Sequence, residues 1–202
     1  MARQQRAVRS RDTILRAAAQ VIDRHGLTAA TVSRVSTEAG LSAGAIYFHF
    51  ADKDALASAL ETEAAHALDE LAAGQARADA PALTAMVETT RELARLLARD
   101  VVVRAGFQVS CDRAEGGVPV LRHRLTALLT QLLEDARSDG SLAPGIAVDD
   151  IAATILTITV GVQILSRQPD TARMVALALE RFWQATLPEL THGTRGPHRD
   201  RT

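Results

Sequence analysis

Apolar residues return at the spacing of an α-helix along nearly the whole chain, and strand-like alternation is almost absent. Ala, Leu, Arg and Glu, all good helix formers, dominate the 202 residues, and 47% of them are apolar, enough for a sizeable core. A first helix is expected over about 9–25, with Ile14, Ala18, Val21 and Ile22 as its inner stripe and Gly26 as its stop. Thr28 and Thr31 lead into a short second helix with Val32 and Val35, ending at Ala39-Gly40. Ser42 can cap a third, running to about Phe48, and Asp52 a long fourth with Leu56, Leu60, Ala64 and Leu68 inward. Further helices are expected over about 81–98, 100–112, 120–138 and 151–166, and from near Asp170 to before Pro188. The stretch 74–81, the break at 115–119 and the turns at 139–140 and 144–145 separate them. The fold class is therefore all-α, with about nine helices.

Net charge is −1, so the whole-chain balance names no partner. The distribution is more telling. Arg3, Arg6, Arg9, Arg11 and Arg16 face Asp12 alone in the first sixteen residues, as a basic arm near a polyanion or as a solvated terminus. One cysteine, Cys111, allows no internal disulfide and no cysteine-built zinc site, and a buried inert thiol is expected. No apolar run is expected to span a membrane, and arginines interrupt any signal-peptide core. The expected location is the cytoplasm.

Only six residues are aromatic, and three of them fall in Tyr47-Phe48-His49-Phe50. The short second and third helices, joined at Gly40, have helix-turn-helix spacing, in which the second member enters the major groove. Ile46 and Phe50, with Val35 and Leu41, anchor the third helix inward. Ala43 and Tyr47 share another face, with Gly44 beside them. Tyr47 can donate to a phosphate, His49 and Lys53 can meet the sugar-phosphate backbone, and the first amides of the fourth helix offer an anion site. A plain aromatic core would account for Phe50 and for Phe48, but not for Tyr47, His49 and Lys53 beside them.

The stretch "TILRAAAQVIDRHGLTAATVSRVSTEAGLSAGAIYFHFADKDAL" closely resembles the DNA-binding domain of TetR-family transcriptional regulators, without a gap over about 10–60. The resemblance implies DNA-facing positions at Thr31, Ser33, Ser42, Ala43, Gly44, Tyr47, His49 and Lys53, beside Arg3, Arg6 and Arg9 of the arm. Within that family, "MARQQRA", "GAIYFHFADKDALA" and "VVRAGFQ" look like the γ-butyrolactone receptor group, which implies dimeric repressors released from DNA by a small diffusible signal. Two positions depart from that group. Ala43 stands where a base-reading lysine is usual, so sequence preference shifts toward Ser42, Ser33 and DNA shape. Leu125, placed by Asp135-Ala136-Arg137, stands where the group carries a tryptophan over its ligand. The cavity therefore differs, and a pseudo-receptor without a butyrolactone is the alternative.

The expected organisation is a DNA-binding domain over 1–52, a ligand-binding and dimerisation bundle over 53–190, and a disordered tail over 191–202. "IAATILTITVGVQIL" is apolar nearly all round, and the last helix carries Met174, Val175, Leu177, Ala178, Phe182 and Trp183. Covering both calls for a second copy in a four-helix interface, or for a thick monomeric core. Phe107, Leu125, Leu129, Thr157, Val160 and Gln163 are the candidate ligand contacts, although a helical threonine can simply bond back one turn. Glu63 and His66 have the spacing of a di-iron motif, but a second copy and two further glutamates would be needed. Neither a metal nor a cofactor is expected, and no nucleophile context supports catalysis. The function read from the sequence is a homodimeric repressor of double-stranded operator DNA, released by a small, mostly apolar effector such as a γ-butyrolactone. The alternative is a DNA-binding regulator whose larger domain only dimerises.

Overall fold

The computed structural model describes residues 2–75, 80–113, 120–168 and 171–192. Most of the loop at 74–81, the break at 115–119, the helix start at Asp170 and the tail beyond 192 lie outside the described residues. Nine helices and no strand occur among the described residues: α1 (Ala2–Ala29), α2 (Val32–Ala39), α3 (Ala43–His49), α4 (Lys53–Gln75), α5 (Ala82–Arg99), α6 (Val101–Asp112), α7 (Val120–Ser138), α8 (Val148–Leu165) and α9 (Ala172–His192). The chain divides into two compact units, one of residues 1–70 with 96–124, the other of 71–95 with 125–202. α4, α5 and α7 each contribute to both.

In the first unit α1 packs on α2 and α6, and α2 packs on α3. Its core joins Ile14, Ala18, Val21 and Ile22 of α1 to Val35, Ile46, Phe50, Leu56, Leu60 and the α6 residues Ala105 and Val109. Leu41 packs against that core from its edge. α6 is fixed at several points. Arg104 grips Asp23 of α1 through two bonds (Nε–Oδ1 2.9 Å, Nη2–Oδ2 3.0 Å), and its Nη1 donates to the Leu97 carbonyl at 2.7 Å. A side chain at Gly106 would collide with the Leu60 carbonyl oxygen and come within 2.6 Å of the Ala64 Cβ, so α6 and α4 meet backbone to backbone. Arg113 donates to Glu61 at 2.9 Å and to Asp54 at 3.3 Å.

In the second unit α8 packs on α9. Trp183, only 1% exposed, donates its indole N–H to Thr90 Oγ1 at 2.9 Å. Arg91 ties α5 to α9 through Glu180 at 2.8 Å. The Asp139 carboxylate accepts from the Ala82 amide at 2.8 Å, capping α5, and from the Ser141 amide at 2.9 Å. Those amide bonds hold its pKa below the usual aspartate range.

Several helix ends differ from expectation. α1 begins at Ala2 rather than near residue 9, so the basic arm is helical; it breaks at Gly26 (φ 80°, ψ 164°), and its last residues follow that kink. α8 begins at Val148, with Ala147 as an N-cap that makes no side-chain bond. Asp149 and Asp150 therefore act on the helix dipole in the first turn and do not cap. α9 runs through Pro188 to His192. The Pro188 carbonyl accepts from Thr191 Oγ1 at 3.2 Å, and the Leu190 carbonyl accepts the Ala143 amide at 2.7 Å, so the final turn is held despite the proline. Cys111 is exposed rather than buried; partial desolvation, then Asp112, raise its thiol pKa. α8 also overturns the expectation that no run is long and apolar enough for a membrane. Its 18 residues have a mean hydropathy of 1.6 despite Asp149 and Asp150 in the first turn, and 33% of it is buried within the chain.

Candidate nucleic-acid interface

α2 and α3 are short because capping residues bound each of them. Thr31 Oγ1 accepts the Arg34 amide at 3.3 Å to open α2. Gly40 closes it in the left-handed conformation (φ 63°, ψ 29°), which a side chain would strain, and the Leu41 amide returns to the Ser36 carbonyl at 3.1 Å. Ser42 Oγ then accepts the Ala45 amide at 3.2 Å to open α3. The two helices are thus set by hydroxyl caps around one glycine turn.

α3 has two distinct faces. Ile46 and the following Phe50 are buried in the first unit's core. Ala43, Gly44, Tyr47 and Phe48 are exposed on the opposite side. Tyr47 is 56% exposed and Phe48 78% exposed. The sequence reading let Phe48 belong to an aromatic core; it does not. It stands edge-on to the half-buried His49, ring centroids 5.0 Å apart and planes at 88°. The signal that could have found it was the helical position itself: residue 48 adjoins Tyr47 and Gly44 on the outer face, opposite Ile46.

Thr31, Ser33 and Ser42 are exposed, as are Arg6 and Arg9, which lie three apart on α1. Arg3 falls within α1, but its side chain lies outside the described residues. Arg11 is turned away from the arm: its guanidinium pairs with Glu63 at 3.3 Å and lies 5.5 Å from the Phe50 ring. Lys53 is half-buried, and its Nζ donates to the Thr28 carbonyl at 3.0 Å. At the start of α4 the Asp52 carboxylate takes the Ala55 amide at 2.7 Å, so an internal anion already holds part of the expected anion site.

The candidate ligand residues fall in both units. Phe107 is buried in the first unit, whereas Leu125, Leu129, Thr157, Val160 and Gln163 belong to the second. Leu125, Leu129 and Gln163 are buried, Val160 is half-buried, and Thr157 is exposed with its hydroxyl bonded back to the Ala153 carbonyl at 2.9 Å. Thr159 of the same helix is buried, and its hydroxyl donates to the Ile155 carbonyl at 2.9 Å. No group of three or more potential metal ligands occurs among the described residues.

Comparison with known proteins fits this geometry. Residues 14–60 match the family "Bacterial regulatory proteins, tetR family". The chain is 28% identical over 192 residues to the A-factor receptor protein of Streptomyces griseus, covering 95% of this chain and 67% of that protein. It is 29% identical over 165 residues to the HTH-type transcriptional repressor BepR of Brucella suis, covering 77% of this chain and 79% of BepR. Among solved structures, the TetR family protein CprB of Streptomyces coelicolor in complex with its biological operator sequence superposes with a TM-score of 0.82 at 29% identity, covering 94% of this chain and 92% of CprB. A γ-butyrolactone receptor (ArpA-like protein) superposes with a TM-score of 0.73 at 26% identity, covering 87% of this chain and 99% of the receptor. The helix-turn-helix over residues 14–60 is thus a TetR-family DNA-binding domain, and most of the chain is similar in sequence and fold to TetR-family transcription regulators, γ-butyrolactone receptors among them.

Proposed function

We propose that this protein is a cytoplasmic homodimeric repressor whose α3 enters the major groove of a duplex operator and whose grip is released by a small, mostly apolar signal. The observation that carries the DNA reading is the outer face of α3. An exposed phenol and an exposed phenyl ring sit beside Ala43 and Gly44, on a helix whose other face is locked into the core. Large solvent-facing aromatics on a short helix await a partner surface. Tyr47 donates to a phosphate, and Phe48 and Ala43 make apolar contact with thymine methyls and sugars. Arg6, Arg9 and Arg3 meet neighbouring phosphates from the helical arm, with Thr31, Ser33, Ser42 and His49 around them. Lys53 joins them on leaving the Thr28 carbonyl.

Pairing through α8 and α9 is supported by Ile164, Leu165, Met174 and Leu177, all exposed apolar residues of the second unit. Only 33% of α8 is buried by its own chain, and a second copy is the partner that a symmetric four-helix contact supplies. The division into a DNA-binding domain over 1–52 and a larger effector domain over 53–190 is the functional counterpart of this reading. The effector acts by favouring one separation of the two α3 helices. Half-sites lie about 34–36 Å apart, so a modest spread breaks simultaneous docking.

The test is a mobility-shift titration on a duplex chosen by the protein from a random pool. Slow migration of a dimer complex, lost as an alkyl-γ-butyrolactone is added, supports the whole reading. A complex that survives every small molecule tried reduces the protein to a regulator whose larger domain only dimerises. Failure to bind any duplex at low salt removes the DNA reading itself.

A further inference from the structure

By sequence Arg11 belongs with the basic residues of the first helix, but its guanidinium is taken up by the protein itself. Its Nη1 donates to Glu63 Oε1 of α4 at 3.3 Å, across 52 positions of chain, and its Cζ lies over the Phe50 ring, 5.5 Å from the centroid. Both partners of the ion pair are half-buried, with 41% of the Arg11 side chain and 40% of the Glu63 side chain exposed. A planar cation is attracted to an aromatic face, and the Glu63 carboxylate keeps the guanidinium there. Phe50 matters because of where it stands. It is the C-cap of α3, extended at φ −137° and ψ 121°, and its amide closes the helix onto the Ile46 carbonyl at 2.9 Å. Its ring lies in the same core as Ile46. α3 has seven residues, too few to hold a direction by its own hydrogen bonds. Its bearing is therefore set at its ends, by the turn at Gly40 and Ser42 where it starts and by Phe50 where it stops. Tyr47 lies three residues before Phe50, so a tilt of that ring is felt at the outer face of the helix.

We infer that Arg11 and Glu63 are positioning residues for operator binding: the guanidinium, steered by the carboxylate, clamps the Phe50 ring and so fixes the angle at which α3 offers Tyr47 and Phe48 to the groove. This rests on the DNA reading of α3 above. Arg11 is then not a phosphate ligand, unlike the exposed Arg6 and Arg9 earlier on the same helix. Glu63 carries the wrong charge for a unit that attracts a polyanion, and its geometry strengthens binding although its field opposes it. The two accounts of Arg11 therefore differ in sign at Glu63. If Arg11 met a phosphate, Glu63→Met would free it and remove one negative charge, and affinity for DNA would rise. Under the clamp, the same substitution lowers affinity.

The test titrates the full chain against a duplex that the parent protein has selected from a random pool. Each titration is made well below the melting temperature of the variant, so a role confined to fold stability leaves the affinity unmoved. Glu63→Met and Arg11→Met are each expected to weaken binding about threefold, the scale of a half-exposed ion pair and a cation over a ring. Neither changes the slope of log affinity against log salt, whereas loss of a phosphate contact lowers it by about one unit. The double variant is also weaker by about threefold and not by about ninefold, because the two residues act through one contact. Glu63→Met binding as tightly as the parent, or more tightly, overturns the inference and leaves the DNA reading of α3 standing. So does a lowered salt slope in Arg11→Met, and so does a multiplied loss in the double variant. Thermal melting checks that the variants fold, and either single variant carries the test should the other not fold. Selection of no duplex by the parent removes the DNA reading and this inference together.

Discussion

Tyr47 and Phe48 stand outward while Ile46 and Phe50 are locked inward, and this division within five residues is what suits α3 to the reading role proposed for it. Tyr47→Ala and Phe48→Ala are each expected to weaken operator binding by about 1–3 kcal/mol with the melting temperature nearly unchanged, since neither side chain is in the core. Parallel melting curves and operator titrations separate the two effects. Lys53→Ala should lower the slope of log affinity against log salt by about one unit, as loss of one phosphate contact does. Its bond to the Thr28 carbonyl also ties two segments of the free protein, so a small loss of stability accompanies it. Asp139 offers a separate test. Its carboxylate pKa is lowered in the folded chain by the Ala82 and Ser141 amides, so its stabilising effect is present above the unfolded pKa and lost as pH falls through the folded one. Asp139→Asn should therefore melt lower than the parent at neutral pH, and the gap should close in acid. At this scale the sequence revealed Tyr47, Ser42 and the inward pair, because each follows from helical spacing and a cap. Phe48 was left open between core and surface because aromatic type was weighed above position on the helix. That Thr157 faces outward was not legible, since which side of a nearly all-apolar helix faces inward is decided by packing and not by pattern.

α6 shows how an element is fixed by what surrounds it. Arg104 joins it to α1, Gly106 lets it touch the α4 backbone, and Arg113 reaches α4 again. Gly106→Val is expected to destabilise the first unit by about 1–3 kcal/mol through overpacking, read as a lower denaturation midpoint. Arg104→Met strips Asp23 of its guanidinium in a largely buried setting and should cost about 3 kcal/mol or more. None of these contacts was legible in sequence, because they join residues dozens of positions apart. Helix existence and order were legible, since Thr31, Gly40, Ser42 and Asp100 all mark ends by local chemistry. The misplaced ends are those where local signals compete with tertiary anchoring. α1 starts early because Ala, Gln and Arg favour helix without adding to the apolar stripe. α9 passes Pro188 because buried Leu190 and its carbonyl hold the last turn.

Across the whole molecule, one compact unit carries the helix-turn-helix together with α6, and the other carries α8 and α9 with their exposed apolar residues. A net charge of −1 confines attraction for DNA to local features, the α1 arginines and the α3 face, so binding should fall steeply with salt. The proposed homodimer also sets a geometric demand: each duplex it prefers must carry two half-sites on one face. The most direct measurement is selection of bound duplexes from a random pool by the parent protein and by Tyr47→Ala, followed by sequencing. The account predicts that the parent enriches paired half-sites whose centres lie about 34–36 Å apart or a multiple of that. It predicts that Tyr47→Ala enriches them weakly or not at all. No enrichment by the parent, or equal enrichment by the variant, would contradict the assignment of α3 as the DNA-reading helix.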